Sequence, residues 1–259
     1  MKKSVASTAV GALAVVVLAG CGSEDANGAD DAAESSSHIT VFAAASLKTT
    51  FTELGDMYES QNPGSTVDFD FAGSSTLVSR LDQGASADVF ASADEANMTK
   101  AVDANLVKGD PQDFASNTLT IVTTPGNPKN ISTLSDLTGD GLLVVTCAPQ
   151  VPCGSATEKV EEDANVDITP VSEEASVTDV LDKVTSGQAD AGLVYVTDAA
   201  VAGDKVTAVP FPESDSAVNT YPISVLEGTG NASAAEGFVD LVLSDEGQAV
   251  LAEAGFAKP

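Results

Sequence analysis

The sequence predicts an α/β fold with mostly parallel sheets, and three observations lead there. Short apolar runs alternate with amphipathic stretches from about His38 onward. Residues 38–259 are enough for one large domain or two smaller ones. No internal repeat shows along the chain, and alternating β and α over this length means an α/β fold with mostly parallel sheets. The pattern admits one open sheet or two smaller lobes.

The elements follow in order. Ile39–Ala43 is an apolar strand candidate. A helix over about 47–60 carries Leu47, Phe51, Leu54 and Tyr58 on one face, and Pro63 and Gly64 stop it. Val67–Phe71 reads as a second strand. A helix over about 75–83 ends at Gly84, a suitable residue just past a helix end. Asp88–Ser92 is a third short strand, and Asp94 can cap the helix after it. Leu119–Thr123 and Leu142–Thr146 are strand-like, and helices are expected over about 155–163 and 177–186. In the latter, Val177, Val180, Leu181 and Val184 share a face and Gly187 closes it. Ala191–Val196 reads as a buried strand, 197–202 as a short helix, and Val206–Val209 and Pro222–Leu226 as strands. Two helices, about 232–243 and 246–254, complete the chain.

Composition excludes several functions. Asp and Glu number 39 against 11 Lys and Arg, a net charge of −28. Such a surface repels nucleic acid and anionic lipid. Hydrolytic triads need a base, and the single histidine, His38, borders a polar leader. There is no GxSxG, P-loop or GxGxxG string, so catalysis is not expected and no cofactor is implied.

The first 20 residues read as a signal peptide: Lys2 and Lys3, then an apolar run over Ala9–Gly20 that is short for a membrane span. Leu18-Ala19-Gly20-Cys21 resembles a bacterial lipobox, which implies lipidation of Cys21 and export to the outer face of the cytoplasmic membrane. Residues 21–37 are small, polar and acidic, as expected of a disordered tether. Removing residues 1–20 deletes Lys2 and Lys3 and no acid, taking the net charge from −28 to −30. Cys147 and Cys153, outside the cytoplasm, read first as a disulfide. Structural zinc needs about four ligands, and no partner lies nearby in sequence.

Four junctions place small or hydroxyl residues where a strand or loop meets a helix start: Ala43–Ser46, Ala72–Thr76, Pro152–Ser155 and Ala175–Thr178. Helix starts present free N–H groups and about half a positive charge each, so four amount to roughly +2. Each alone reads first as an ordinary cap, and only convergence in space makes them a site. Ser75, Thr76, Ser155 and Thr178 are read as caps. Lys48 and Arg80 are read as facing solvent, and a core position in its strand is the secondary reading of Tyr195.

Six strings in this order resemble the substrate-binding proteins of molybdate ABC transporters: VFAAASL at 41–47, FAGSSTL at 71–77, ADVFASAD at 87–94, VPCG at 151–154, GLVYVTDA at 192–199 and YPI at 221–223. The resemblance covers 38–259. It implies a two-lobed periplasmic-binding-protein-like fold of type II, with lobe I at 38–118 and 211–259, lobe II at 119–210, and ligand in the cleft. It implies hydroxyl donors at Ser46, Ser74 and Tyr195, and backbone N–H donors at Cys153 and Val177. Many family members carry alanine at the position of Cys153, a change a backbone donor tolerates. The implied ligand is molybdate or tungstate. The implied partner is an ABC permease with its ATPase, served by a monomer. Sulfate or another oxyanion, or a surface interaction protein reusing the fold, are the alternatives. A ferric-iron binder usually needs several clustered tyrosines or acids, and the three tyrosines form no evident cluster in sequence.

Overall fold

The computed structural model describes residues 37–259. In chain order these are β1 His38–Ala44, α1 Lys48–Gln61, β2 Thr66–Ala72, α2 Ser74–Asp82, β3 Val89–Ala91, α3 Glu95–Asp103, β4 Gln112–Asn117, β5 Leu119–Thr123, β6 Val144–Cys147, α4 Pro152–Ala164, β7 Ser172–Glu174, α5 Val177–Thr185, β8 Ala191–Tyr195, α6 Val196–Ala202, β9 Thr207–Val209, β10 Asn219–Val225, α7 Ala232–Leu243 and α8 Asp245–Glu253. The signal peptide and the lipidation of Cys21 expected from the sequence fall outside the described residues. So does the tether except Ser37, which already belongs to the folded body: its carbonyl accepts the Thr66 N–H at 2.8 Å.

Two five-stranded sheets form, in the orders β2-β1-β3-β10-β4 and β7-β6-β8-β5-β9. Each sheet with its helices is a lobe. Lobe I holds β1–β4 and β10, and lobe II holds β5–β9. The chain passes between lobes twice, from Asn117 to Leu119 and from Val209 to Asn219.

The sheets are evenly mixed rather than mostly parallel. In lobe I, β1 runs parallel to β2 and β3, while β10 runs antiparallel to β3 and β4. In lobe II, β6 runs parallel to β7 and β8, while β5 runs antiparallel to β8 and β9. The antiparallel pairs arise where the chain arrives from the other lobe. Pro222 sits inside β10, between two neighbours, where a missing N–H breaks a ladder. A register shift at Tyr221/Pro222 accommodates it.

Period-two alternation explains why β1 is central. Ile39, Val41 and Ala43 face a core shared with α1, α7 and α8, and Phe42 faces a second core with Leu77, Phe90 and Met98. Phe51 anchors the first core, with Phe114 and Phe238 at ring separations of 5.7 and 5.9 Å. Lobe II has its own core, built on Ile121, Val145, Val160, Val180 and Leu193. The expected helix ends hold: Gly84 and Gly187 take φ of 92° and 73° just beyond α2 and α5, as left-handed caps require.

Candidate functional site

The four junctions converge. Ala44, Ala45 and Ser46 from the first, Gly73 and Ser74 from the second, Pro152 and Cys153 from the third, and Val177 from the fourth line one cavity with Ala93, Val151 and Tyr195. The cavity is tight, with a volume of about 10 Å³. Its walls come from both lobes and, among the described residues, include no charged side chain. All five residues named from sequence, Ser46, Ser74, Cys153, Val177 and Tyr195, lie on it.

The local chemistry is that of donors. Ser74 Oγ accepts the Ala93 N–H at 3.0 Å, which leaves its proton free to be given to a ligand. Ser46 Oγ lies 3.0 Å from the Tyr221 hydroxyl. The Tyr195 hydroxyl is buried and has no hydrogen-bond partner among the described residues. Burial, then the neighbouring Tyr221 and the charges of Asp94 and Asp198, pushes its pKa well up, so it stays protonated. Tyr221 is pushed up by burial as well. The two rings meet edge to face at 6.0 Å.

The helix starts fall where the sequence places them, with one difference. α4 and α5 begin at Pro152 and Val177, so the N–H groups of Cys153 and Val177 fall in the first turn, where no intrahelical acceptor exists. The first junction instead leads into a 3-10 turn over Ala45–Leu47 before α1, so Ser46 sits on that turn. Ser176, not Thr178, caps α5: Ser176 Oγ accepts the Asp179 N–H at 3.3 Å and lies 2.9 Å from Thr178 Oγ1, while Ser75, Thr76 and Ser155, expected as caps, lie inside α2 and α4, whose starts carry no side-chain cap. Arg80 is spent elsewhere, paired with Asp70 at 2.5 Å and placed 5.0 Å over the Phe42 ring.

Cys147 and Cys153 are joined as a disulfide. It ties the end of β6 to the first turn of α4, across a tight turn in which the Val151 N–H reaches the Ala148 carbonyl at 2.9 Å. A side chain at Gly154 would stand 2.0 Å from that same Ala148 oxygen, so the turn also depends on glycine there.

Sequence reasoning missed three residues around the cavity. Tyr221 positions Ser46 from 175 residues away. Asn219 donates to the Ala93 carbonyl at 2.8 Å, holding the loop that donates to Ser74. Asp198, buried at the start of α6, accepts the Tyr195 backbone N–H at 3.1 Å. Burial raises its pKa to about 7.

Residues 39–257 match the family described as bacterial extracellular solute-binding protein. The chain belongs to that family. Its members bind solutes rather than transform them. Among its relatives, the molybdate-binding protein ModA of Mycobacterium tuberculosis H37Rv is 50% identical over 96% of this chain and 96% of its own. Among solved structures, the substrate-binding domain of a putative molybdenum ABC transporter from Clostridium difficile is 28% identical, with a TM-score of 0.64 over 86% of this chain and 100% of its own. A periplasmic molybdate-binding protein from Azotobacter vinelandii superposes with a TM-score of 0.75 at 22% identity, over 85% of this chain and 99% of its own.

Proposed function

We propose that this chain captures molybdate, with tungstate as an equivalent ligand, and delivers it to an ABC permease. Ser46, Ser74 and Tyr195 give hydroxyl protons to its oxygens, and Cys153 and Val177 give backbone N–H groups. The carrying observation is the orphaned Tyr195 hydroxyl, buried in a cavity lined only by uncharged groups. A buried polar group without a partner is costly, and an anion between the lobes supplies the partner.

Molybdate at neutral pH carries no proton, so every oxygen accepts. A wall of donors satisfies it, whereas hydrogen phosphate needs an acceptor that none of the lining side chains supplies as a carboxylate. Sulfate shares the absence of a proton. The choice of molybdate over sulfate rests on the 50% identical relative.

Because the donors are buried beneath both lobes, capture requires the lobes to part and close again, a hinge motion at the two crossings. Asn117 braces the first, donating to Thr197 Oγ1 at 2.8 Å. The protein works as a monomer, tethered through lipid on Cys21 to the outer face of the membrane.

Thermal unfolding with molybdate, tungstate, sulfate and phosphate tests the reading. Molybdate and tungstate are expected to raise Tm, and phosphate is not. A rise with sulfate and none with molybdate overturns the choice of ligand.

A further inference from the structure

Gly73 meets the opposite lobe more closely than a side chain permits. A Cβ built there stands 2.1 Å from the Ala175 carbonyl oxygen, 3.3 Å from the Ala175 carbonyl carbon and 3.4 Å from a Val151 methyl. Real Cβ atoms do not approach backbone so closely, and a carbonyl oxygen cannot swing aside as a flexible side chain can. All three crowding atoms belong to lobe II, while Gly73 belongs to lobe I.

Backbone conformation does not explain the glycine. Its φ and ψ are −60° and 138°, which any L-residue adopts. The requirement comes from the contact between lobes. That contact also occupies a telling place. Gly73 directly precedes Ser74, and Ala175 lies two residues before Val177. The meeting of these two loops therefore sets how far the donors of α2 stand from those of α5 across the cavity.

We infer that Gly73 is the closure stop of this protein, the positioning residue that fixes the interlobe distance at which both donor sets reach one anion. The inference rests on the solute-capture reading above. A methyl at 73 wedges the lobes apart without disturbing lobe I, so the two sets no longer reach one ion together. The closed form becomes rarer, and apparent affinity falls by the same factor.

Gly73→Ala is the test, with Gly230→Ala as control, since a Cβ at Gly230 meets nothing within 4 Å. Each variant and the wild type are assayed by molybdate calorimetry, by ligand-free Tm and by small-angle scattering with and without molybdate. The expected result for Gly73→Ala is an unchanged ligand-free Tm, affinity lower by roughly tenfold or more, and a smaller ligand-induced compaction. The control should match wild type in all three. Wild-type affinity and full compaction in Gly73→Ala overturn the inference, as does a large loss of ligand-free Tm, which would place the glycine's role inside lobe I. If the wild type itself neither binds nor compacts, the capture reading fails first and this inference with it.

Discussion

Removing one oxygen atom separates binding from stability. Tyr195→Phe deletes the buried hydroxyl that has no partner among the described residues. In wild type, closing the lobes without ligand strands that group, at a cost of about 1–3 kcal/mol. Phe keeps the ring packed on Tyr221 and removes the stranded group, so the ligand-free chain should be as stable as wild type or slightly more so. The bound form loses one hydrogen bond to an anion, about 1.5–3 kcal/mol, or roughly 10- to 150-fold in Kd. At saturating molybdate the same energy disappears from the ligand-induced stabilisation. For a body of this size that amounts to roughly 3–12 °C less rise in Tm. Calorimetry and thermal unfolding with and without molybdate measure both quantities. A ligand-free chain clearly destabilised by the substitution, with wild-type affinity, refutes the reasoning and returns Tyr195 to the core.

Two further predictions follow from the surroundings of the cavity. Cys147→Ser with Cys153→Ser opens a short loop, which should lower unfolding free energy by about 2 kcal/mol in urea titrations. Molybdate binding should weaken as well, because the loop that presents the Cys153 N–H loses its clamp, and unchanged affinity refutes that role. Asp198 makes stability depend on pH. Its folded pKa is raised from 3.8 to about 7, so the folded state holds the proton more tightly than the unfolded one, and stability falls as pH rises from about 4 to about 7. The gap between those values corresponds to about 4 kcal/mol. Asp198→Asn keeps an acceptor for the Tyr195 N–H and removes the titration, so it should be more stable than wild type at pH 8 and converge with it near pH 4. Parallel pH profiles of the two proteins contradict the assignment.

Much of this was legible in sequence because it is periodic or local. The alternation in β1, the 4-3-4 spacing of Leu47, Phe51, Leu54 and Tyr58, and the glycines after α2 and α5 each reflect a rule acting within a few residues. The donor-bearing junctions were visible for the same reason, and the family resemblance supplied their grouping. What stayed hidden is long-range. β7, Ser-Glu-Glu, is a polar strand beside β6 with no hydrophobic signal. Strand direction in β10 depends on where the chain re-enters lobe I. The partnership of Ser46 with Tyr221 spans 175 residues. Gly73 has ordinary dihedral angles, so only the facing lobe reveals why it is glycine.

The paradox of an anion carrier with net charge −28 is resolved by distance. At physiological ionic strength surface charges are screened beyond about 8 Å, whereas hydroxyl and backbone donors act at contact. Lys100 and Arg80 line a separate open groove between α2 and α3, near Gln150, and offer the obvious electrostatic alternative. A crystal structure of the chain with molybdate decides between them. The account predicts one ion in the interlobe cavity, its oxygens within hydrogen-bond distance of the Ser46, Ser74 and Tyr195 hydroxyls and the Cys153 and Val177 N–H groups. An ion held instead by Arg80 and Lys100, with the cavity left unoccupied, contradicts it.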